Sequence, residues 1–368
     1  MYAVIRAGGK QYRVAPGDVI RVESQGNGSD GKIEFGDVLA VSGGEGQIGK
    51  PQSEARVVGE VLGQGRADKI RTDKVRTDKI NASIAKLQIM LDQARFSPGE
   101  IDGKFGENAQ KALRAFAEAN GLPLDNQVTA ELWNRLGEAS NVPAVVDYKI
   151  TEADVRGPFL KKLPKKMEDM KNLKALDYTS PREALAEKFH MSEALLDALN
   201  RGKKLDEAGQ SIAVLNVETK ETKPAVARVE VDKVSQTVKV FGKSGELIEF
   251  FPATVGSKEK PTPSGTLKIT SIDANPRYGY NPDYKFKGIR TKRAFTINPG
   301  PNNPAGSTWI GLSSEGYGIH GTPNPSKISK AESHGCVRLT NWDAGRLAKL
   351  VKKGTEVAFT EGQRSKGK

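Results

Sequence analysis

A chain of 368 residues is too long for one ordinary core, so several domains are expected. Its 37% hydrophobic content holds no apolar run long enough for a membrane-spanning helix, and its single cysteine excludes an internal disulfide. The net charge of +12 is uneven: residues 225–368 hold 23 basic and 12 acidic residues, residues 1–80 only 13 and 11. The basic C-terminal part suits an anionic polymer, although a merely solvated basic surface explains the charge equally well.

Residues 1–80 read as short strands. Tyr2-Ala-Val-Ile-Arg6 and Asp18-Val-Ile-Arg-Val-Glu23 alternate with period two, and Gly8-Gly9, Pro16-Gly17 and Gly26-Asn27-Gly28 supply turns. A small β-barrel is expected. The string MYAVIRAGGKQYRVAPGD, with Phe35-Gly36-Asp37 and Gly63-Gln64-Gly65-Arg66, resembles bacterial large-subunit ribosomal protein twenty-one. That resemblance implies ribosomal RNA binding through Lys10, Gln11, Tyr12 and Arg13. The basic tail of that family is missing. In its place runs a five-residue near-repeat of balanced charge, Asp68 to Ile80, read as an extended edge entering a linker.

Residues 81–139 turn helical. Ile84, Leu87 and Leu91 mark one face, Ala109, Ala112, Leu113 and Phe116 another, and Thr129 is a candidate N-cap for a helix carrying Leu132, Trp133 and Leu136. With the Asp102-Gly103…Phe105-Gly106 turn and Gly121-Leu122, this stretch resembles the three-helix peptidoglycan-binding module. Leu124-Asp125-Asn126 stands where that family often has a glycine turn. Residues 140–177, with Pro143, Pro158 and Pro164, read as a linker with a short helix near Met167 to Leu173. Residues 178–217 resemble a LysM-like α+β module: two helices through Leu185 and Phe189, then Leu195 and Leu199, followed by Asn200, Gly209 and a last strand. Residues 218–225 are a polar linker.

Residues 226–360 read as a mostly-β domain, followed by a polar tail at 361–368. Strands are expected at Arg228–Asp232, Thr237–Phe241, Glu246–Phe251, Thr266–Ile269 and Trp309–Leu312, and a late helix behind Thr340 with Ala344, Leu347 and Val351 on one face. Near the end the scarce residues converge. His320 and His334 are two of three histidines, and Cys336 is the lone cysteine. A thiol, titrating near ~8.5, needs a base, and an imidazole near ~6.5 suits that task. An inert buried cysteine and a zinc site are the bland readings; a closed zinc site needs four ligands. His190 falls in a helical pattern and reads as a half-exposed helix residue.

The strings Ile319-His320-Gly321-Thr322 and Ser333-His334-Gly335-Cys336-Val337-Arg338, with Val255-Gly256, Pro261 to Gly265 and Pro299 to Pro304, resemble the YkuD-type L,D-transpeptidase family. The resemblance implies a cysteine acyltransferase that needs no metal or other cofactor. It makes Cys336 the nucleophile, His320 the base and the Gly321 carbonyl the group that orients the base. The backbone N–H groups of Gly335 and Cys336, with His334, would line the oxyanion hole, Ser333 would belong to the same oxyanion or substrate side, and Arg338 would hold an anionic group or buttress the loop. The implied partners are peptidoglycan stem peptides and glycan, with a wall lipoprotein as another acceptor. Tyr317, Trp309 and Thr322 would wall the pocket or belong to the core.

The expected architecture is therefore multidomain and mixed: N-terminal β-barrel, helical peptidoglycan-binding module, LysM-like module and mostly-β catalytic domain. The catalytic domain predicts a periplasmic or wall location. The opening residues lack the basic-then-apolar layout of a secretory leader, and read as a native start they predict the cytoplasm instead. Two further functions stay open from sequence: an L,D-carboxypeptidase, and a ribosomal RNA-binding protein carrying a passenger domain.

Overall fold

The computed structural model describes residues 2–7, 10–14, 32–35, 38–44, 47–49, 57–60, 80–123, 128–140, 142–218, 224–284 and 291–362. The chain divides into two units, Met1–Asp68 and Lys69–Lys368. In the first, strands β1 (Tyr2–Ala7), β2 (Lys10–Val14), β3 (Lys32–Phe35), β4 (Val38–Gly44), β5 (Gln47–Gly49) and β6 (Val57–Glu60) follow one another. They form an antiparallel sheet ordered β2-β1-β4-β5 and a separate β3-β6 ladder. Ile5 and Val14 are buried. Among the described residues the strands do not close into the expected barrel. The turns at Gly8-Gly9, Pro16-Gly17 and Gly26 to Gly28, most of the Asp68 to Ile80 repeat, and Leu124 to Asn126 lie outside the described residues.

In the second unit, Asn81 starts the strut on which the rest is assembled. Its side chain accepts from the backbone N–H groups of Ser83 and Ile84, capping helix α1 (Ala82–Gln93). The Ile84-Leu87-Leu91 stripe packs with α2 (Glu107–Ala119) and α3 (Ala130–Ser140) around Phe105 and Phe116. Leu132 N–H donates to Thr129, which caps α3 as its position predicted. A second stripe of α1, Ala85 and Ile89, enters another core with Ile150, Leu185, Leu196, Ile212 and Val214. A helix apolar on two sides is an internal helix, and every residue from Leu87 to Gln93 is buried.

That second core is built by strand β7 (Val145–Lys149), helices α4 (Glu152–Arg156), α6 (Pro181–Lys188) and α7 (Glu193–Leu199), and strand β8 (Ser211–Leu215); the short helix α5 (Met167–Met170) between α4 and α6 takes no part in it. β7 pairs antiparallel with β8 from Val145↔Leu215 to Lys149↔Ser211. The stretch 140–177, expected as a linker, therefore supplies a strand, and the unit begins near 145 rather than 178. Buried Asn200 ties α7 to β8: its amide donates to the Leu196 and Ala213 carbonyls, and its oxygen accepts from Ala213 N–H at 2.7 Å.

The mostly-β region contains β9 (Val226–Asp232), β10 (Thr237–Gly242), β11 (Leu247–Pro252), β12 (Gly265–Ala274), β13 (Tyr278–Tyr280), β14 (Phe295–Ile297), β15 (Thr308–Leu312), β16 (Gly318–His320), β17 (Val337–Arg338), helix α8 (Asn341–Leu350) and β18 (Glu356–Thr360). Eight strands form one sheet ordered β11-β10-β9-β18-β12-β15-β16-β17, while β13 and β14 pair separately. The segment leaving β11 bridges to the opposite edge, Thr254 to Arg338 and Gly256 to Ser333. The sheet is therefore curled on itself around Val229, Val231, Val240, Ile310, Ile319 and Val337, with Ala344 and Leu347 of α8 closing one side.

The helical region is not hung on this sheet by a tether. Phe250 of β11 joins the Phe96–Phe116 core, and Ser97 N–H donates to the Phe250 carbonyl at 2.9 Å. His190, expected as a half-exposed helix residue, is partly buried but stands just beyond the end of α6. It leaves α6 with φ 56°, its Nδ1 lies 2.9 Å from Asp92, and its ring stacks on Trp342 of α8.

Candidate active site

Three neighbouring strands bring the site together. β16 runs antiparallel to β15 and parallel to β17, setting His320 opposite both Trp309 and Arg338. Side chains alternate along a strand. Ile319 and Val337 are paired and point into the core at 0% and 1% exposure, so His320 and Arg338 take the other face. The Trp309 and His320 rings stack with centroids 5.5 Å apart. Gly318 makes this stacking possible: a Cβ there would lie 2.6 Å from the Trp309 ring.

His320 is 5% exposed, and its Nδ1 lies 2.6 Å from the Gly321 carbonyl. A carbonyl can only accept, so Nδ1 carries the proton and Nε2 keeps a free lone pair. Burial, then the Arg338 guanidinium, push the imidazole down to about 4, against the pull of the Gly321 and Ala305 carbonyls.

Cys336 leads into β17 one residue before Val337, which places it beside Gly318 on the face of His320 and Arg338. A two-residue offset across one strand spacing separates such Cα atoms by about 8 Å, within reach of two side chains turned the same way. The half-buried thiol points its S–H at the Gly316 carbonyl, 3.6 Å away. Burial pushes it above the ordinary thiol value, while a hydrogen bond from the Gly318 backbone and the Arg338 charge pull it down.

The turn that presents the thiol is bolted to the segment after β11. Ser333 N–H donates to the Val255 carbonyl, and Ser257 N–H to the Ser333 carbonyl. Thr262 Oγ1 donates to the Gly335 carbonyl at 2.9 Å and accepts from Gly256 N–H at 2.7 Å. A Cβ on Gly256 would lie 2.3 Å from the Lys260 carbonyl. Gly335 has φ +112°, and a Cβ there would lie 2.8 Å from the Tyr317 ring. Ser333 Oγ donates to the Cys336 carbonyl and accepts from Gly335 N–H at 3.1 Å. The Gly335 N–H expected to face an oxyanion is thus engaged inside the turn.

His334 is exposed, and burial of its ring, with Arg338 and Lys260, lowers its pKa. Arg338 is partly buried, and its Nε has no hydrogen-bond partner among the described residues. Lys10, Gln11, Tyr12 and Arg13 lie on β2 in the other unit. Among the described residues no group of three or more His, Cys, Asp or Glu could hold a metal, and no helix is long and apolar enough to cross a membrane.

Two contributors to the site, Thr262 and Asn341, carried no assigned role in the sequence, and Trp309 was expected to wall the pocket or belong to the core. Thr262 locks the reactive turn. Trp309 stacks on the imidazole. Asn341, the first residue of α8, accepts from Ser307 N–H at 3.0 Å and lies against Gly321. Thr262 lies in a proline- and glycine-bearing string that marks a fixed turn; nothing local marks Asn341.

The family described as the L,D-transpeptidase catalytic domain matches residues 226–358, the peptidoglycan binding domain matches 81–136, and the ribosomal prokaryotic L21 protein matches 1–83. The Bacillus licheniformis protein named L,D-transpeptidase YkuD is 33% identical over 182 residues, 48% of this chain and 92% of that protein. The large ribosomal subunit protein bL21 of Koribacter versatilis is 60% identical over 70 residues, 19% of this chain, and the match spans only 53% of that protein's length. A solved L,D-transpeptidase from Mycobacterium smegmatis is 20% identical with a TM-score of 0.30, covering 41% of this chain and 63% of that one. The chain belongs to the YkuD-type L,D-transpeptidase family, and carries a peptidoglycan-binding domain and a ribosomal L21 segment ahead of its catalytic domain.

Proposed function

We propose that the protein cross-links peptidoglycan stem peptides by a two-step acyl transfer through Cys336. One observation carries this reading: His320 Nδ1–H is fixed on the Gly321 carbonyl, leaving Nε2 as a base on the face that Cys336 shares. Nε2 takes the thiol proton as sulfur attacks the carbonyl of the amide joining an L-centre to a terminal D-residue. The C–N bond breaks, the imidazolium protonates the departing D-alanine amine, and a thioester remains. An acceptor amine then attacks the thioester, loses its proton to His320, and the thiol is restored. Peptide-bond energy is kept in the thioester, so these steps call on no nucleotide.

The Cys336 N–H and the His334 side chain are the oxyanion donors in this reading, with Ser333 holding the turn in shape; losing one such donor typically costs about 10²–10³ in rate. Arg338, with its unpartnered Nε, receives an anionic group of the substrate. The 81–139 and LysM-like regions hold glycan, which raises the effective concentration of wall polymer even where each binds weakly. The work of such an enzyme lies in the cell wall or periplasm.

The test incubates the protein with disaccharide-tetrapeptide and follows products by mass. A cross-linked dimer with loss of D-alanine is expected, and Cys336→Ala should abolish it. Tripeptide alone would make the protein an L,D-carboxypeptidase, a lipoprotein adduct would identify a different acceptor, and untouched substrate would sink the proposal. The L21 match supports a second reading, RNA binding by residues 1–83. Retention of residues 1–80 on ribosomal RNA at moderate salt tests it.

A further inference from the structure

Asn341 sits where the candidate active site meets the region that precedes it. Its Oδ1 accepts from Ser307 N–H at 3.0 Å. The same oxygen would lie 2.2 Å from a Cβ on Gly321 and 2.1 Å from one on Gly306, so the carboxamide is seated against both glycines. Gly321 supplies the carbonyl that holds His320 Nδ1. The Asn341 amide donates the other way, to Glu187 Oε1 at 2.9 Å and to the Pro301 carbonyl at 3.1 Å. Glu187 belongs to α6, outside the 226–358 match, and Tyr178 O–H donates to the same carboxylate oxygen at 2.9 Å.

A second line reaches the imidazole from the same region. Leu176 N–H donates to the Pro299 carbonyl at 2.8 Å, and Asn302 N–H donates to the Leu176 carbonyl at 2.9 Å. Gly300 passes so close that a Cβ would lie 2.3 Å from the Leu176 oxygen. Asn302 also donates to Glu183 at 2.9 Å and to the Asp177 carbonyl at 3.0 Å. This gripped loop ends at Ala305, whose carbonyl is one of the two acting on His320.

We infer that Asn341 is a positioning residue for His320, and that Glu187, from α6 in the region between β7 and β8, holds Asn341 in place. The base is then oriented by a chain of contacts, Glu187 to Asn341 to the Gly321 peptide to Nδ1, of which only the second half lies in the matched catalytic domain. The 173–187 segment is part of the active unit rather than a spacer. The inference rests on His320 acting as the base of the proposed reaction. Its physical content, the tautomer and seating of the ring, can be read without any substrate.

The experiment uses the full chain with ¹⁵N-labelled histidine, the His320 ring signals being assigned with His320→Gln. In the wild type the Nδ1–H tautomer should dominate. Asn341→Ala and Glu187→Ala should each mix in the Nε2–H form, while the His334 ring signals hold still. Glu187→Gln keeps an acceptor oxygen and should restore most of the wild-type pattern, which a carboxylate acting by charge alone would not. A His320 tautomer unchanged in both alanine variants, with both proteins folded by circular dichroism, overturns the inference. Glu187→Ala guards against Asn341→Ala failing to fold. If the tautomer shifts as expected while wild-type protein leaves the tetrapeptide intact, the positioning role stands and the proposed substrate falls.

Discussion

Arg346 is the residue whose removal should cost the larger unit most. Its Nη1 lies 2.9 Å from Asp92 Oδ1, its Nη2 donates to the Asp92 carbonyl at 2.8 Å, and its Nε lies 3.6 Å from Glu249 Oε2. Asp92 belongs to α1, Arg346 to α8 and Glu249 to β11, and both acids are 0% exposed. Burial alone would raise the Asp92 carboxyl, but Arg346 and then His190 hold it below its ordinary value. Arg346→Met keeps the apolar stem and removes the cation shared by two buried carboxylates, leaving Asp92 only His190 and Glu249 only Arg95, 2.6 Å away. Breaking a buried pair on one side costs about 3–5 kcal/mol. With a urea slope of about 3 kcal/mol/M, the midpoint should fall by about 1–1.7 M at pH 7.5. A group with a depressed folded pKa stabilises above its unfolded pKa, and that stability is lost as pH falls through the folded value. The deficit of the variant should therefore shrink as pH falls below about 4. Asp92→Asn and the double variant complete a cycle, and their coupling should exceed about 2 kcal/mol. A loss under about 1 kcal/mol, with unchanged slope and near-zero coupling, would show that the junction does not depend on this pair.

Asp343 is fully buried, and burial pushes its carboxyl up to about 7, against the pull of Arg346. A raised folded pKa means stability falls as pH rises from about 4 to 7, here by about 4 kcal/mol. Asp343→Asn should flatten that part of the urea-midpoint profile, and an unchanged slope would refute the assignment. Gly335→Ala forces a side chain onto φ +112° and into the Tyr317 ring, a strain of about 1–3 kcal/mol. Turnover should drop at least tenfold while the melting temperature moves only a few degrees; equal turnover would mean the turn is not held as described. Labelling of the lone thiol by iodoacetamide should keep rising with pH beyond the ordinary thiol range, because burial raises the Cys336 pKa. A plateau near pH 5 would instead reveal a preformed thiolate–imidazolium pair.

What the sequence disclosed and what it hid follow different physics. Cys336 and His320 stood out because each residue type is scarce and its chemistry is local. The stripes on α1, α2 and α3 were visible because core-facing residues recur at helical spacing. The second stripe of α1, Ala85 and Ile89, was hidden because small and aliphatic residues between the first stripe's positions read as tolerated surface. β7 was hidden for the opposite reason: its side chains alternate between exposed and half-buried with none fully buried, so no apolar face announced it. Asn341 contacts Glu187 across 154 positions. An uncharged amide with a distant partner leaves no periodic or compositional trace, so the packing around His320 and Gly321 could not be read from the string.

The titration of Cys336 and His320 bears on how a thiol so placed can react in the proposed transfer. Burial acts on both in the direction of neutrality: it lifts the Cys336 thiol above its ordinary 9.0 and lowers His320 to about 4. Moving the proton from sulfur to imidazole at rest is therefore uphill. Arg338 does little to that balance, because it favours the thiolate and opposes the imidazolium at once. The resting neutral pair protects a lone thiol from alkylation and oxidation, reactions that favour thiolate. Reactivity would then appear only when a carbonyl occupies the face shared by Gly318, His320 and Arg338, where the developing negative charge passes from sulfur to the substrate oxygen.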